Sequence, residues 1–209
     1  MRALVLILAS AFLATAACAE SEADRLAALL GLAPGMRVAD VGAGEGEYAL
    51  DFAARVGAAG RVFATELEAE QRDEIRAAAA EAGLANVEVI EAEVEATGLP
   101  TACCDAILLR HVYHHLTEPA AIGRDLLRAL EPGARLVIVD FPPTWYLRPF
   151  TPEGVGEERS RHGIEPEAAL AELLALGFEK VEVVDPFHES WLGPDSYAVV
   201  VRRPERSER

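Results

Sequence analysis

The sequence predicts an α/β fold: a three-layer sandwich on a seven-stranded, mostly parallel sheet with one antiparallel C-terminal strand. Three observations carry that expectation. From Glu20 onward, short β-branched runs alternate with Ala/Leu/Glu-rich stretches, the pattern of strands joined by crossover helices. The helical stretches stop at Gly31, Gly83, Gly177 or the Pro132-Gly133 pair, where a left-handed residue ends a helix. The last two strand-like runs lie close enough in sequence to form an antiparallel hairpin.

Each element follows from its own residues. Residues 22–30 read as an opening helix, and Pro34-Gly35 turns the chain into a first strand at 37–42. A helix at 45–56, a strand at 61–66, a helix at 68–82 and a strand at 87–91 come next. The adjacent Cys103 and Cys104 precede the apolar run of a fourth strand, 105–110, and read as buried thiols, since two neighbours make neither a disulfide framework nor a metal motif. Glu118-Pro119 opens a helix to residue 130, and Glu131-Pro132-Gly133 ends it before a buried strand at 135–140. Residues 142–163 carry Pro and Trp without periodicity, long enough for a functional loop. A helix at 165–176 and strands at 180–184 and 197–201 complete the sheet, and the tail from Arg202 reads as frayed.

Composition bounds the function. The 209 residues carry 35 acids against 19 bases, a net charge of −16, which disfavours a phosphate-backbone binder. At 51% hydrophobic and 26% charged, the chain is a globular domain with ample core.

Residues 1–19 hold one base, Arg2, no acid and an apolar run of about a dozen residues, short of the roughly 20 that a spanning helix needs. They read as an export signal, with residues 20–209 as the mature domain; losing Arg2 takes its charge from −16 to −17. Ala17-Cys18-Ala19 suits cleavage before Glu20 and a periplasmic product, while Thr15-Ala16-Ala17-Cys18 resembles a lipobox that would anchor Cys18 by lipid. A retained apolar helix, and a cytoplasmic protein, is the alternative.

The chemistry concentrates at residues 38–46, where a buried strand runs into a glycine-rich turn and then a helix. Glycines there admit close approach of a ligand to backbone, the helix N-terminus offers free N–H groups, and Asp40 supplies an acceptor. The spacing is G-x-G-x-G, with Glu47 where the dinucleotide fingerprint needs its third glycine. With an acid two positions before the first glycine, this segment resembles motif I of the class I S-adenosylmethionine-dependent methyltransferases, a Rossmann-like fold.

That resemblance extends over residues 33–201 and implies site residues one by one. Asp40, Gly42, Gly44 and Gly46 would pack under the methionine part of the cofactor, with Tyr48 close by. Glu66, followed by Leu67, would take the two ribose hydroxyls, which suits a carboxylate with two acceptor oxygens. Glu93 would accept from the adenine amino group, with Val94 beside the ring; Glu91 and Glu95 are close enough to compete for that register. The run Leu109-Arg110-His111-Val112-Tyr113-His114-His115-Leu116 resembles the post-strand-four segment of a methyltransferase subgroup. There the backbone carbonyl of Arg110 would face the cofactor's amino group and His111 would line the active site.

His162, after the irregular segment, is a second residue for acceptor binding or proton removal, and Tyr113, Trp145 and Tyr146 are candidate walls. For the two loop aromatics, packing onto the core is the alternative role. His111, His114 and His115 share one helical face, but no Asp-x-x-His or Cys companion is near, and no metal is expected. The implied activity is methyl transfer from S-adenosyl-L-methionine to a small-molecule acceptor. Two rivals remain: an NAD(P)-dependent oxidoreductase, against which the glycine spacing and terminal hairpin speak, and an exported binding protein without catalysis.

Overall fold

The computed structural model describes residues 20–159, 162–191 and 193–205; the signal, cleavage and lipid-anchor expectations for residues 1–19 lie outside them. No helix among the described residues is long and apolar enough to cross a membrane.

Among the described residues, five α-helices and seven strands form in the expected order: α1 Glu22–Leu30, β1 Arg37–Val41, α2 Glu47–Val56, β2 Arg61–Glu66, α3 Ala69–Glu81, β3 Val87–Glu91, β4 Cys104–Arg110, α4 Pro119–Ala129, β5 Leu130–Asp140, α5 Pro166–Ala175, β6 Glu179–His188 and β7 Ser196–Arg202. Ser21 and Asp24 close a reciprocal capping box on α1, and Gly31 ends it in the left-handed conformation. Cys103 and Cys104 are buried free thiols.

The sheet order is β3-β2-β1-β4-β5-β7-β6. All neighbours are parallel except β7, which slots between β5 and β6 antiparallel to both. Alternation along each strand feeds two cores. Ile107 and Leu109 of β4 face α4 and α5 with Leu126 and Leu173, whereas Ala106 and Leu108 face α1, α2 and α3 with Leu26, Phe52 and Ile75.

Two strands exceed their sequence expectation by more than a residue at one end. β5 starts at Leu130 and not at 135, because Cys104 pairs with Leu130 across an irregularity in β4. Gly133 N–H also donates to the Arg203 carbonyl at 2.9 Å, so the start of the tail is paired and not frayed. β6 continues through Pro186 to His188, which pairs with Ser196; β6 is an edge strand, where a residue without an N–H is tolerated.

The chain leaves β1 toward β2 and β3, then returns to place β4 on the other side of β1. A crevice opens at the C-terminal ends of these strands, where such sheets bind ligands.

Candidate functional site

That crevice is a cavity of about 590 Å³. Its wall combines Gly42 and Gly44 after β1, Glu66 and Leu67 at the end of β2, Glu93 and Val94 beyond β3, and Arg110, His111, Val112 and His115 after β4. The glycines do different work. A Cβ on Gly42 would stand 2.6 Å from Val112 Cγ2, and at φ +71° any other residue would be strained on backbone grounds as well. Gly44 has no atom within 4 Å of its missing Cβ, so it opens the cavity wall. Gly46 does not line the cavity; it precedes α2 at φ +86° and gives way to Ile75.

Glu66 is held by backbone on both sides. Gly44 N–H donates to Oε2 at 3.0 Å and Leu67 N–H donates to Oε1 at 2.7 Å. Each oxygen keeps a lone pair beyond that bond. Leu67 and Val94 are 51% and 57% exposed although apolar, and both line the cavity. Of the three acids competing for the adenine position, Glu93 lines the cavity, while Glu91 pairs with Arg72 at 3.2 Å.

Asp40 is 3% exposed and does not line the cavity. Its carboxyl accepts from Ala49 N–H in the first turn of α2, and burial pushes it up to about 7, while Oδ2 has no partner. The Arg110 side chain is aimed at α1: Nε donates to Glu22 Oε1 at 2.7 Å, and the guanidinium lies 5.0 Å from the Tyr48 ring. Tyr48 therefore serves this cation and is absent from the cavity wall. Glu22 was not legible as a site residue, since only the docking of α1 on the sheet brings it here.

His111 adopts φ 56° and His162 φ 55°, two of the three non-glycine residues with positive φ among the described residues. Such strain persists only where the surroundings impose it. His111 lines the main cavity and a second of about 290 Å³ that also holds Glu22, Phe141 and His188. Burial, then Arg110, pushes its imidazole down to about 4, and Nε2 is buried without a partner.

The remaining histidines fall together differently from their sequence spacing. His114 and His115 meet His162 and not His111, with ring nitrogens of the three within 4.8 Å of one another. His162 lines neither cavity. Asp140, at the end of β5, takes His114 Nδ1 at 2.7 Å and its backbone N–H at 3.0 Å.

The candidate aromatic walls are corrected. Tyr113 is fully buried and donates to Glu172 Oε2 on α5 at 2.8 Å, so it anchors the segment. Trp145 is 80% exposed and meets Tyr146 edge-on at 5.9 Å; neither lines the main or the smaller cavity, and Trp145 does not pack on the core. Arg159, unnoticed in the sequence, is 1% exposed and ties the loop to Glu172 at 2.6 and 2.9 Å.

Residues 39–138 match the family model described as a methyltransferase domain. A ubiquinone/menaquinone biosynthesis C-methyltransferase UbiE from Pseudomonas putida is 31% identical over 114 residues, 54% of this chain and 44% of the relative. The chain thus matches less than half the length of that curated relative. Among solved structures, a SAM-dependent methyltransferase from Aquifex aeolicus superposes with a TM-score of 0.69 at 26% identity, covering 87% of this chain and 89% of that one. The [4+2]-cyclase SpnF reaches 0.70 at 20% identity over 88% and 80% of the two chains. The Rossmann-like methyltransferase fold is therefore the fold of this protein.

Proposed function

We propose that this chain, with a methyltransferase domain matched over residues 39–138, is an S-adenosyl-L-methionine-dependent methyltransferase acting on a small-molecule acceptor. S-adenosyl-L-methionine is the cofactor of such a domain, and when bound it supplies a methyl group on a cationic sulfur that is open to in-line attack. The residues fit that group. Glu66, fixed by two backbone amides and keeping a lone pair on each oxygen, suits a pair of vicinal hydroxyls. Gly44 leaves room that a Cβ would fill, and Leu67 and Val94 present apolar surface to a planar base. The anchored Glu66 carboxylate is the observation that carries the reading.

In this proposal Glu66, Leu67, Glu93 and Val94 hold the nucleoside, and the turn from Gly42 to Gly46 holds the methionine part. His111 stands in the wall shared by the two cavities, so the acceptor would occupy the smaller one and meet His111 Nε2. With its imidazole neutral above about pH 4, Nε2 accepts a hydrogen bond and orients the attacking atom; alignment supplies most of the rate for such a displacement. Export of the chain through residues 1–19 belongs to the same proposal.

The likeness to a cyclase keeps a second reading in view, in which the pocket binds the cofactor and another reaction or none follows. Titration calorimetry of the full chain with S-adenosylmethionine, S-adenosylhomocysteine and NADH tests the shared step. The first two should bind and NADH should not. Glu66→Ala should weaken both by about 10–100-fold, the loss of a charge-assisted pair of hydrogen bonds. NADH binding would overturn the cofactor reading, and unchanged affinity in Glu66→Ala would overturn the ribose assignment.

A further inference from the structure

We propose that His114, His115 and His162 form a three-imidazole site for a divalent cation of the zinc class, beside the cofactor cavity and independent of the methyl-transfer reading. Two segments converge to build it. His114 and His115 belong to the 3-10 turn Tyr113–His115 after β4, and His162 returns from the long loop before α5. The ring centroids are 4.1, 4.7 and 5.2 Å apart. One ring nitrogen from each lies within 4.8 Å of the others. Tetrahedral coordination with nitrogens about 2.0–2.1 Å from the metal needs them about 3.4 Å apart, a closure that rotation of the three rings would supply.

The surroundings are those of metal ligands. His114 gives Nδ1 to Asp140 Oδ1 at 2.7 Å, and Asp140 is itself fixed by the N–H groups of His114 at 3.0 Å and Phe141 at 2.9 Å. A carboxylate on one nitrogen fixes the tautomer and leaves the other a lone pair, the outer-shell arrangement of metal-bound histidine. His162 repeats the logic, with a hydrogen bond to the Phe150 backbone. In both residues the other nitrogen, His114 Nε2 and His162 Nδ1, is buried with no partner. An unpaired buried acceptor is costly, and two residues of this one cluster each carry such an atom.

Histidine must be neutral to ligate. Imidazole ligands without thiolate or a carboxylate in the cluster favour a borderline cation such as Zn²⁺ over Mg²⁺ or Ca²⁺. Three protein ligands leave a fourth position open, and His115 also lines the cofactor cavity.

The test is spectroscopic titration of the untagged, chelator-stripped full chain with Co²⁺, followed by Zn²⁺ competition and equilibrium dialysis. One Co²⁺ per chain with the visible bands of four-coordinate cobalt, displaced by Zn²⁺, is expected. His115→Ala and His162→Ala should each weaken binding at least tenfold, while His188→Ala leaves it unchanged. His115 is exposed, so its variant keeps the fold, which thermal melting in chelator verifies; if His162→Ala fails to fold, His115→Ala and His115→Gln carry the comparison. No saturable binding by the unaltered chain, or binding that the His115 variants do not weaken, would overturn the site.

Discussion

The two sides of the crevice are built by different means. On the cofactor side, backbone does most of the work: glycines clear space, and the Glu66 carboxylate is held by the amides of Gly44 and Leu67. On the side of the histidines, the arrangement rests on side chains from distant segments: Asp140 holds His114, and Arg159 holds the loop that brings in His162. A site made of backbone is specified by a short contiguous string. One made of converging side chains depends on every contact that docks its segments.

The contrast breaks most visibly at Arg159. Its guanidinium is buried and paired with both oxygens of Glu172, and it also donates to the Tyr113 carbonyl at 3.3 Å. Arg159→Ala leaves Glu172 without its cation, and breaking a buried pair in that way costs about 3–5 kcal/mol. For a domain of this size the melting temperature should fall by roughly 6–20 °C, read by calorimetry. A fall of only a degree or two would show that the loop does not depend on this tie.

Asp40 sharpens the comparison from the cofactor side through pH. Burial raises its carboxyl from 3.8 to about 7, so between those values the folded chain holds a proton that the unfolded chain has released. That contribution to stability is present at low pH and is lost as pH rises through about 7. His111 acts with the opposite sign: lowered from 6.5 to about 4, it makes the folded state lose stability as pH falls through that window. Asp40→Asn should therefore raise stability at pH 8 by about 1–3 kcal/mol. It should also expose a decline from pH 6.5 to 4 that Asp40 otherwise offsets. Denaturant melts across pH check both, and a variant less stable at pH 8 would show that the carboxylate is stabilised by more than Ala49.

The smallest effect is expected at Trp145. Exposed, with its ring edge-on to Tyr146, it should tolerate Trp145→Ala within about 0.5 kcal/mol, with unchanged S-adenosylmethionine affinity by calorimetry. A larger loss would mean that the loop closes over the site in solution.

Legibility followed the same division. Helix α1 and strands β2 and β3 fall at their expected bounds, because caps, glycines and β-branched runs are local signals. Strand β5 did not, since its first residues are strands only by virtue of pairing with Cys104 and Arg203. Within the site, the cavity wall from Gly42 to Val94 was readable in outline, whereas the grouping of the histidines was not. Helical spacing put His111 with His114 and His115, but the segment is a 3-10 turn entered through a left-handed His111, and the cluster forms from His114, His115 and His162 instead.

By itself, the sequence determined the α/β alternation, the seven strands, the G-x-G-x-G turn and the acid ending β2, all of which depend on neighbours within a few residues. Only the tertiary structure decided that Glu22 faces Arg110, that Asp140 holds His114, and that His162 completes a cluster with two histidines of another segment. The physical reason is range. Caps, turns and periodicity act along the chain, while a bare ring nitrogen finds its neighbours only after the sheet order and the loop anchor at Arg159 have fixed which ends meet.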